Sequence, residues 1–337
     1  MTNTRTQPQL TPALRNLGRT GPAVTSPGLG AMGLSGAYGA TDDDQSVGVI
    51  HRYLDAGGTL LDTGDFYGAG HNEMLIGRAL RERSRDDVVL SVKFGANLVP
   101  GGMPIGFDGS PRSVHRSLAY TLTRLGTDHV DIYRPARLDP TVPIEDTVGA
   151  IAEMVEKGFV RHIGLSEVGA DTIRRAAAVA PISDVQIEYS LLSRDIERNG
   201  ILDACRELGI GITAYGVLSR GLIGGSSPTD GPRSRYPRFQ GENLAHNTAL
   251  VERPQEIADA KGVTRAQLAI AWAAAQHPHI VPIVGARRDD QVDSMLGSVA
   301  VELDASDLAR IDELLPVGAA RGERYPEQFM ADLDSER

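Results

Sequence analysis

The stretch "VRHIGLSEVGADTIRRAAAVAPISDVQIE", residues 160–188, carries the clearest signal of the fold in this sequence. It opens with a strand-like run that ends at Ser166, continues with a helical pattern over 170–178, and returns to a second strand-like run at 184–187. Short runs rich in β-branched residues, separated by amphipathic sequence, are typical of parallel strands joined by helices. The stretch therefore predicts a strand, a helix and a second strand.

The same alternation continues through most of the chain. Strands are predicted near Leu29 to Met32 and at 59–62, 88–93, 130–134, 160–166, 184–187, 211–215 and 280–284. Helices are predicted at 43–56, 72–82, 113–125, 144–157, 170–178, 195–207 and 264–276. Eight strands, each followed by helical sequence, is the number that closes an α/β protein into a (β/α)8 TIM barrel. We expect a flexible N-terminus over 1–16, a barrel with an N-terminal hairpin over 17–316, extra C-terminal helices, and a tail over 317–337.

Composition points to a soluble globular protein with a small-molecule partner. The 337 residues are 41% hydrophobic and carry a net charge of −10, which argues against binding of nucleic acid or anionic membrane. No apolar stretch approaches the roughly 20 residues that span a bilayer, and the polar N-terminus favours a cytoplasmic protein. The single Cys205 excludes an intrachain disulfide, and no histidine has partners at metal-ligand spacing, so no metal site is predicted. Oligomeric state stays open.

The motif "GLGAMG", Gly28 to Gly33, matches the G-x-G-x-x-G pattern of Rossmann dinucleotide sites. That pattern must open a helix, so that the pyrophosphate meets free backbone N–H groups. Here the breaker-rich "LSGAYGATDDD" follows, and a helix cap comes only near Thr41 to Asp44. We therefore interpret the motif as a glycine-rich strand and loop at a barrel mouth.

Polar residues stand at the ends of several predicted strands, where a barrel carries its function. They are Asp62, Lys93, Ser166, Gln186 and Tyr215, with Tyr67 in the loop after Asp62. Lys93 is one of only three lysines among 34 basic residues, and it closes a run that reads as a buried strand. A neighbouring ammonium lowers the pKa of a phenol, which is ordinarily near 10. We therefore expect Lys93 to tune Tyr67 as a proton donor, with Asp62 holding the lysine charged.

Six segments in order resemble the aldo-keto reductase family, in the branch with bacterial and channel β-subunit-like members. They are "LLDTGDFYGAGHNEMLIGRAL", "VLSVKFG", "VRHIGLSEVGADTIRRA", "VQIEYSLLSR", "ITAYGVLSRGLIGG" and "IVPIVGARRDDQV". The resemblance runs from about Leu17 to Leu315. It implies a barrel that binds NADP(H) in extended form and reduces aldehydes or ketones, or oxidises the alcohols, by hydride transfer.

The resemblance also implies roles for individual residues. Tyr67 would be the proton donor, tuned by Lys93 and Asp62. Tyr215 would stack on the nicotinamide, whose carboxamide Ser166 and Gln186 would hold. The remaining cofactor-binding residues would be Gly30, Met32 and Asp62, then Gly216, Leu218, Ser219 and Gly221 along the pyrophosphate, and Gly285, Arg287 and Gln291 at the adenosine end. Arg287 suits a 2′-phosphate, because a guanidinium matches phosphate with a forked, permanent charge.

One catalytic position departs from the family. The family has a His at the end of the fourth strand, and in "DIYRPARLDP" that position is Ala136. Strand alternation puts Arg134 on the same face, so we expect its guanidinium to rise into the vacated space, compete for Asp62 and polarise a substrate carbonyl. His71, in the loop after Tyr67, is a second candidate.

Alternatives to a carbonyl reductase stay open. A barrel can keep its nucleotide site and lose its chemistry, which would leave an NADP-binding regulatory or scaffold protein. Tyr67 and Lys93 could instead serve nonredox acid/base chemistry. The tail "RGERYPEQFM" could cover the mouth or extend into solvent.

Overall fold

The computed structural model describes residues 13–100, 104–226 and 232–336. Its strands are β1 (Ala13–Asn16), β2 (Ala23–Ser26), β3 (Gly28–Gly30), β4 (Leu60–Gly64), β5 (Val89–Phe94), β6 (Ala96–Leu98), β7 (Pro104–Phe107), β8 (Val130–Pro135), β9 (Val160–Ser166), β10 (Ile182–Glu188), β11 (Gly211–Tyr215) and β12 (Ile280–Gly285). Its helices are α1 (Asp43–Asp55), α2 (His71–Leu80), α3 (Pro111–Leu125), α4 (Ile144–Glu156), α5 (Ala170–Ala177), α6 (Ile201–Leu208), α7 (Gly241–Glu252), α8 (Gln255–Ala260), α9 (Arg265–Ala275), α10 (Asp289–Gly297), α11 (Ala305–Leu314) and α12 (Glu327–Met330).

Eight parallel strands close the barrel in the order β3, β4, β5, β8, β9, β10, β11, β12 and back to β3. The strands alternate with helices along the chain, which confirms the predicted (β/α)8 class. The hairpin of β1 and β2 precedes the barrel, as expected. Of the N-terminal segment predicted over 1–16, residues 1–12 lie outside the described part of the chain, and 13–16 form β1.

Apolar side chains are buried on both sides of the barrel wall. The outward faces of the strands and the inward faces of the helices form one large cluster. A smaller cluster fills the amino-terminal end of the barrel, where Leu17 and Val24 of the hairpin meet Leu60, Ile132 and Val281. This end is therefore a packed core, and the open end is the one formed by the carboxyl ends of the strands.

Several helices begin and end at residues that cap them, by satisfying free backbone groups or by adopting a left-handed conformation. The Asp42 carboxylate accepts the Gln45 N–H at the start of α1, at 2.8 Å. Thr264 and Gln267 form a reciprocal capping box at the start of α9. Gly126, with φ of +69°, ends α3 in the left-handed conformation that glycine adopts without strain.

All eight predicted strands are present, with small differences at their ends. The first ends at Gly30 rather than Met32, because residues 31–35 turn into a 3-10 helix. The next α-helix begins only at Asp43, which confirms that Gly28 to Gly33 is no Rossmann motif. The helix predicted over 195–207 divides into a 3-10 turn and α6, because Gly200, with φ of +83°, stands between them. The β6–β7 hairpin was not expected.

Within the described ranges, no helix is both long enough and apolar enough to cross a membrane.

Candidate active site

Parallel register brings the predicted catalytic residues to one mouth of the barrel. Asp62 on β4 pairs with Ser91 on β5. Two residues further along these strands, Gly64 pairs with Lys93. Ser166 at the end of β9 lies beside Gln186 on β10. Because all these strands run in the same direction, their polar ends face the same rim.

Lys93 and Asp62 form a buried ion pair. The Lys93 Nζ lies 2.6 Å from Asp62 Oδ1, and the two residues are 3% and 4% exposed. The other carboxylate oxygen, Oδ2, accepts from Ser91 Oγ at 2.9 Å and from Gln186 Nε2 at 2.7 Å. Burial lowers the pKa of Lys93, and Asp62 opposes that effect. The carboxylate thus keeps the lysine in place, as the sequence predicted.

Tyr67 lies in the loop that follows β4, at the start of a 3-10 turn over Tyr67–Gly70. The turn passes through positive φ at Gly68 and at Ala69. The Lys93 Nζ lies over the Tyr67 ring, 5.1 Å from its centroid. The turn therefore brings the phenol against the buried ion pair.

The pKa of Tyr67 is raised in this structure, not lowered as expected from the sequence. Burial raises the pKa of the phenol well above its ordinary value of 10, and the Asp62 carboxylate raises it further. A phenol in this environment keeps its proton, so it can give that proton only to an oxygen that is becoming negative.

The prediction for Arg134 is also wrong. Its side chain does enter the barrel interior, but Nη1 donates to Asp184 Oδ2 at 2.7 Å and to Thr213 Oγ1 at 3.1 Å. Nη2 donates to Ser91 Oγ at 2.9 Å. Both partners of the Arg134–Asp184 ion pair are fully buried. The guanidinium binds the buried Asp184 carboxylate instead of entering the space beside Ala136, because a charge inside a barrel needs a counter-charge.

Arg137, one residue past Ala136, is the cation that the sequence interpretation overlooked. Its Nη1 donates to the Ala136 carbonyl at 2.7 Å and to Ser166 Oγ at 3.5 Å. Its Nη2 lies 3.5 Å from the Tyr325 hydroxyl. Arg137 follows the end of β8, where strand alternation no longer sets the direction of a side chain, so no local pattern marked it.

His71 is engaged elsewhere. Its Nδ1 lies 2.9 Å from Ser35 Oγ, and its Nε2 lies 3.1 Å from Asp43 Oδ1. These contacts tie the start of α2 to the start of α1 and to the turn after β3. They give His71 a structural role.

The C-terminal tail covers the mouth of the barrel, which answers a question that the sequence left open. Arg324 donates to Glu167 Oε2 at 2.9 Å and to Glu188 Oε2 at 3.4 Å. The Ser335 hydroxyl donates to Glu167 as well, at 2.5 Å. Although burial opposes it, Arg324 holds the pKa of Glu167 well below its usual range. The sequence shows that Glu167 and Glu188 end the runs "IGLSE" and "VQIE", but their partner Arg324 lies over 130 residues further along the chain.

Tyr215 is held by this covering segment. Its hydroxyl donates to Glu167 Oε1 at 2.6 Å and lies 3.0 Å from the Tyr325 hydroxyl. Arg220, which follows in the chain, lies over the rings of Tyr236 and Tyr325, at 4.3 and 4.7 Å from their centroids. An aromatic and cationic rim therefore surrounds the ring predicted to stack on a nicotinamide.

The predicted pyrophosphate segment forms a tight turn after β11. The Ser219 N–H donates to the Gly216 carbonyl at 2.7 Å, and the Gly221 N–H donates to the Leu218 carbonyl at 2.9 Å. Ser219 and Arg220 both have positive φ. Arg233 of the following loop donates to the Arg220 carbonyl at 2.8 Å. The loop and the turn are thus packed together.

The predicted adenosine end lies across the first and last barrel strands. Gly30 on β3 pairs with Gly285 on β12. The Arg287 N–H donates to Gln291 Oε1 at 2.8 Å, and its guanidinium donates to the carbonyls of Tyr38 and Ala40. Carbonyl partners orient a guanidinium without neutralising it. Among the described residues Arg287 makes no ion pair within 4 Å, so its charge is available to an anion.

The described ranges hold no group of three or more His, Cys, Asp or Glu side chains arranged to bind a metal ion.

Comparison with known proteins identifies the family. The aldo/keto reductase family model matches residues 28–316. The chain is 42% identical over 327 residues to "Probable aldo-keto reductase 1" of Glycine max, covering 95% of this chain and 93% of the soybean protein. The thermostable aldo-keto reductase Tm1743, solved with the inhibitor epalrestat, is 30% identical with a TM-score of 0.72, over 90% of this chain and 99% of that one. An aldo/keto reductase from Klebsiella pneumoniae, solved with NADP and acetate, is 26% identical with a TM-score of 0.72, over 93% of this chain and 99% of that one. The chain therefore belongs to the aldo/keto reductase family.

Proposed function

We propose that this protein is an NADP(H)-dependent oxidoreductase that reduces an aldehyde or ketone, or oxidises the corresponding alcohol, with Tyr67 as the proton donor. The observation that carries the proposal is the buried Asp62–Lys93 pair directly beside the Tyr67 ring. A structural protein gains little from a charged pair buried beneath a phenol, because desolvating two charges is costly. Perturbed ionisable groups at a barrel mouth instead favour acid/base chemistry.

The residues of this chain divide the chemistry between them. When bound, NADPH supplies a hydride to the carbonyl carbon. The Tyr67 hydroxyl gives its proton to the carbonyl oxygen as the C=O π bond breaks. Lys93, held by Asp62, stabilises the phenolate that remains, because its ammonium lies 5.1 Å from the centroid of that ring.

The polar residues of the mouth fit such a cofactor. Ser166 and Gln186 on adjacent strands offer a hydroxyl and an amide to the nicotinamide carboxamide, next to Tyr215. At the other end, Arg287 offers an unneutralised guanidinium, which favours a 2′-phosphate and therefore NADP over NAD. The Klebsiella pneumoniae relative, solved with NADP, supports the same choice.

The test is loss of NADPH absorbance with a panel of aliphatic and aromatic aldehydes and ketones, for wild type and Tyr67→Phe. Loss of a general acid costs roughly 10²- to 10⁴-fold in rate, and we expect kcat to fall by that factor while NADPH binding is kept. An unchanged rate in Tyr67→Phe would remove Tyr67 from the mechanism. Tight NADPH binding with no turnover of any carbonyl would favour the regulatory alternative instead.

A further inference from the structure

Position 136, where the resemblance to the family implies a catalytic histidine, is an alanine in this chain, and a charged residue follows it. Ala136 offers only a buried methyl group there. The guanidinium of the next residue, Arg137, donates to the Ala136 carbonyl and lies close to Ser166 Oγ and to the Tyr325 hydroxyl. Two of these contacts are 3.5 Å long, so the donors that make them can turn to a stronger acceptor.

Arg137 differs from the other arginines of the mouth in its charge balance. Arg220, Arg238 and Arg324 each lie within 4 Å of the Glu188 carboxylate. Arg137 makes no ion pair within that distance in the described part of the chain. A partly buried guanidinium without a carboxylate partner keeps its positive charge for whatever enters the mouth.

Tyr67 and Arg137 interact across this space. Lys93 is balanced by Asp62, but Arg137 acts on the phenol and lowers its pKa against the larger effects of burial and Asp62. Arg137 also helps to lower the pKa of Lys93, after burial as the main cause. Arg137 is therefore within electrostatic reach of both groups that handle the proton.

We propose that Arg137 is a catalytic residue that donates a hydrogen bond to the substrate carbonyl oxygen, in place of the histidine missing at Ala136. The proposal rests on the carbonyl reduction proposed above and names a further group in it. As hydride reaches the carbon, negative charge develops on the oxygen, which accepts the Tyr67 proton. Arg137 gives up no proton; its N–H groups stabilise the developing charge.

An arginine in this role has a signature that a histidine lacks. Histidine loses its charge near neutral pH, whereas a guanidinium stays protonated at any pH the protein tolerates. The hydrogen bond to the carbonyl therefore does not titrate between pH 6 and about 9. We expect kcat/KM to show no limb in this range that depends on Arg137.

The experiment measures kcat, KM and the NADPH dissociation constant for wild type, Arg137→Ala and Arg137→Lys. Arg161→Ala, an exposed arginine at the start of β9, is the matched control. Removing one donor to a developing oxyanion costs about 10²- to 10³-fold in kcat, and we expect that loss in Arg137→Ala with NADPH affinity nearly unchanged. Arg137→Lys should recover part of it. Added guanidinium ion should raise the rate of Arg137→Ala and leave Arg161→Ala unaffected.

A structural role for Arg137 predicts a different set of results. If Arg137 only supports the tail through Tyr325, then Tyr325→Phe should reproduce the loss, NADPH binding should weaken with it, and guanidinium should not rescue. That pattern, or a kcat within threefold of wild type, would overturn the proposal. If Arg137→Ala does not fold, Arg137→Met replaces it, and a kcat within threefold of wild type in that variant would overturn the proposal. If wild type reduces carbonyls and Arg137→Ala does so equally well, only the proposed role of Arg137 is refuted. If wild type itself is inactive, the proposed function is refuted as well.

Discussion

Asp65, two residues before Tyr67, is a carboxyl group whose ionisation the folded structure disfavours. Its Oδ2 accepts a long hydrogen bond from the Gly95 N–H, at 3.4 Å, and its Oδ1 has no partner among the described residues. Burial raises the pKa of Asp65 from 3.8 to about 7, with Glu73 adding to the shift and Arg124 opposing it. Tyr133 also interacts with this carboxyl. Asp65 therefore resists ionisation in the folded protein.

The sign of the effect on stability follows from proton binding. Between about pH 4 and about pH 7 the folded protein holds a proton on Asp65 that the unfolded chain has released, so this group makes stability fall as pH rises. A shift of about three pKa units corresponds to at most roughly 4 kcal/mol. Because Asp65 is partly exposed, solvent screening reduces this to about 1 to 2 kcal/mol.

We expect Asp65→Asn to gain stability relative to wild type as pH rises from 5 to 8. The free energy of unfolding is measured by urea denaturation at both pH values, and the difference between the two proteins should grow by about 1 to 2 kcal/mol. Asp86→Asn, which removes an exposed carboxylate, is the matched control. A difference between Asp65→Asn and wild type that is the same at pH 5 and pH 8 would refute the reasoning.

Two other predictions concern the ion pairs of the mouth. Lys93→Met should destabilise the protein by about 3 to 5 kcal/mol, because it leaves the Asp62 carboxylate buried without its ammonium, and adding Asp62→Asn should cost much less than the sum of the single changes. Urea denaturation of the four proteins of this cycle checks it, and strict additivity would contradict it. Arg324→Met should cost a similar 3 to 5 kcal/mol and expose the tail to proteolysis, because it leaves Glu167 buried without its main partner. Arg310→Met, at an exposed position on α11, should change neither the stability nor the digestion pattern, and tail cleavage that is equal in both variants would refute the role of Arg324.

The partner of the Arg134 guanidinium could not be inferred from the sequence. Strand alternation correctly predicted that this side chain enters the barrel. It could not predict that Asp184, on a strand 50 residues away, would claim the guanidinium at 2.7 Å. For a long side chain, the backbone fixes only the direction of the first bonds, and the position of the charge depends on which counter-charge the fold brings within reach.

The barrel and the composition of its mouth follow from patterns in the amino-acid sequence. Alternating apolar runs and helical patterns are local, and a polar residue at the end of a parallel strand reaches the rim whatever its neighbours are, as Asp62, Lys93 and Gln186 do. Which charged side chains meet depends on the three-dimensional arrangement of the strands and the tail. The pairing of Arg324 with Glu167 spans 157 positions of the chain. The contact of Arg137 with Tyr325 spans 188. Such pairs form because buried charges must find partners in space, and no local pattern of residues records where those partners lie.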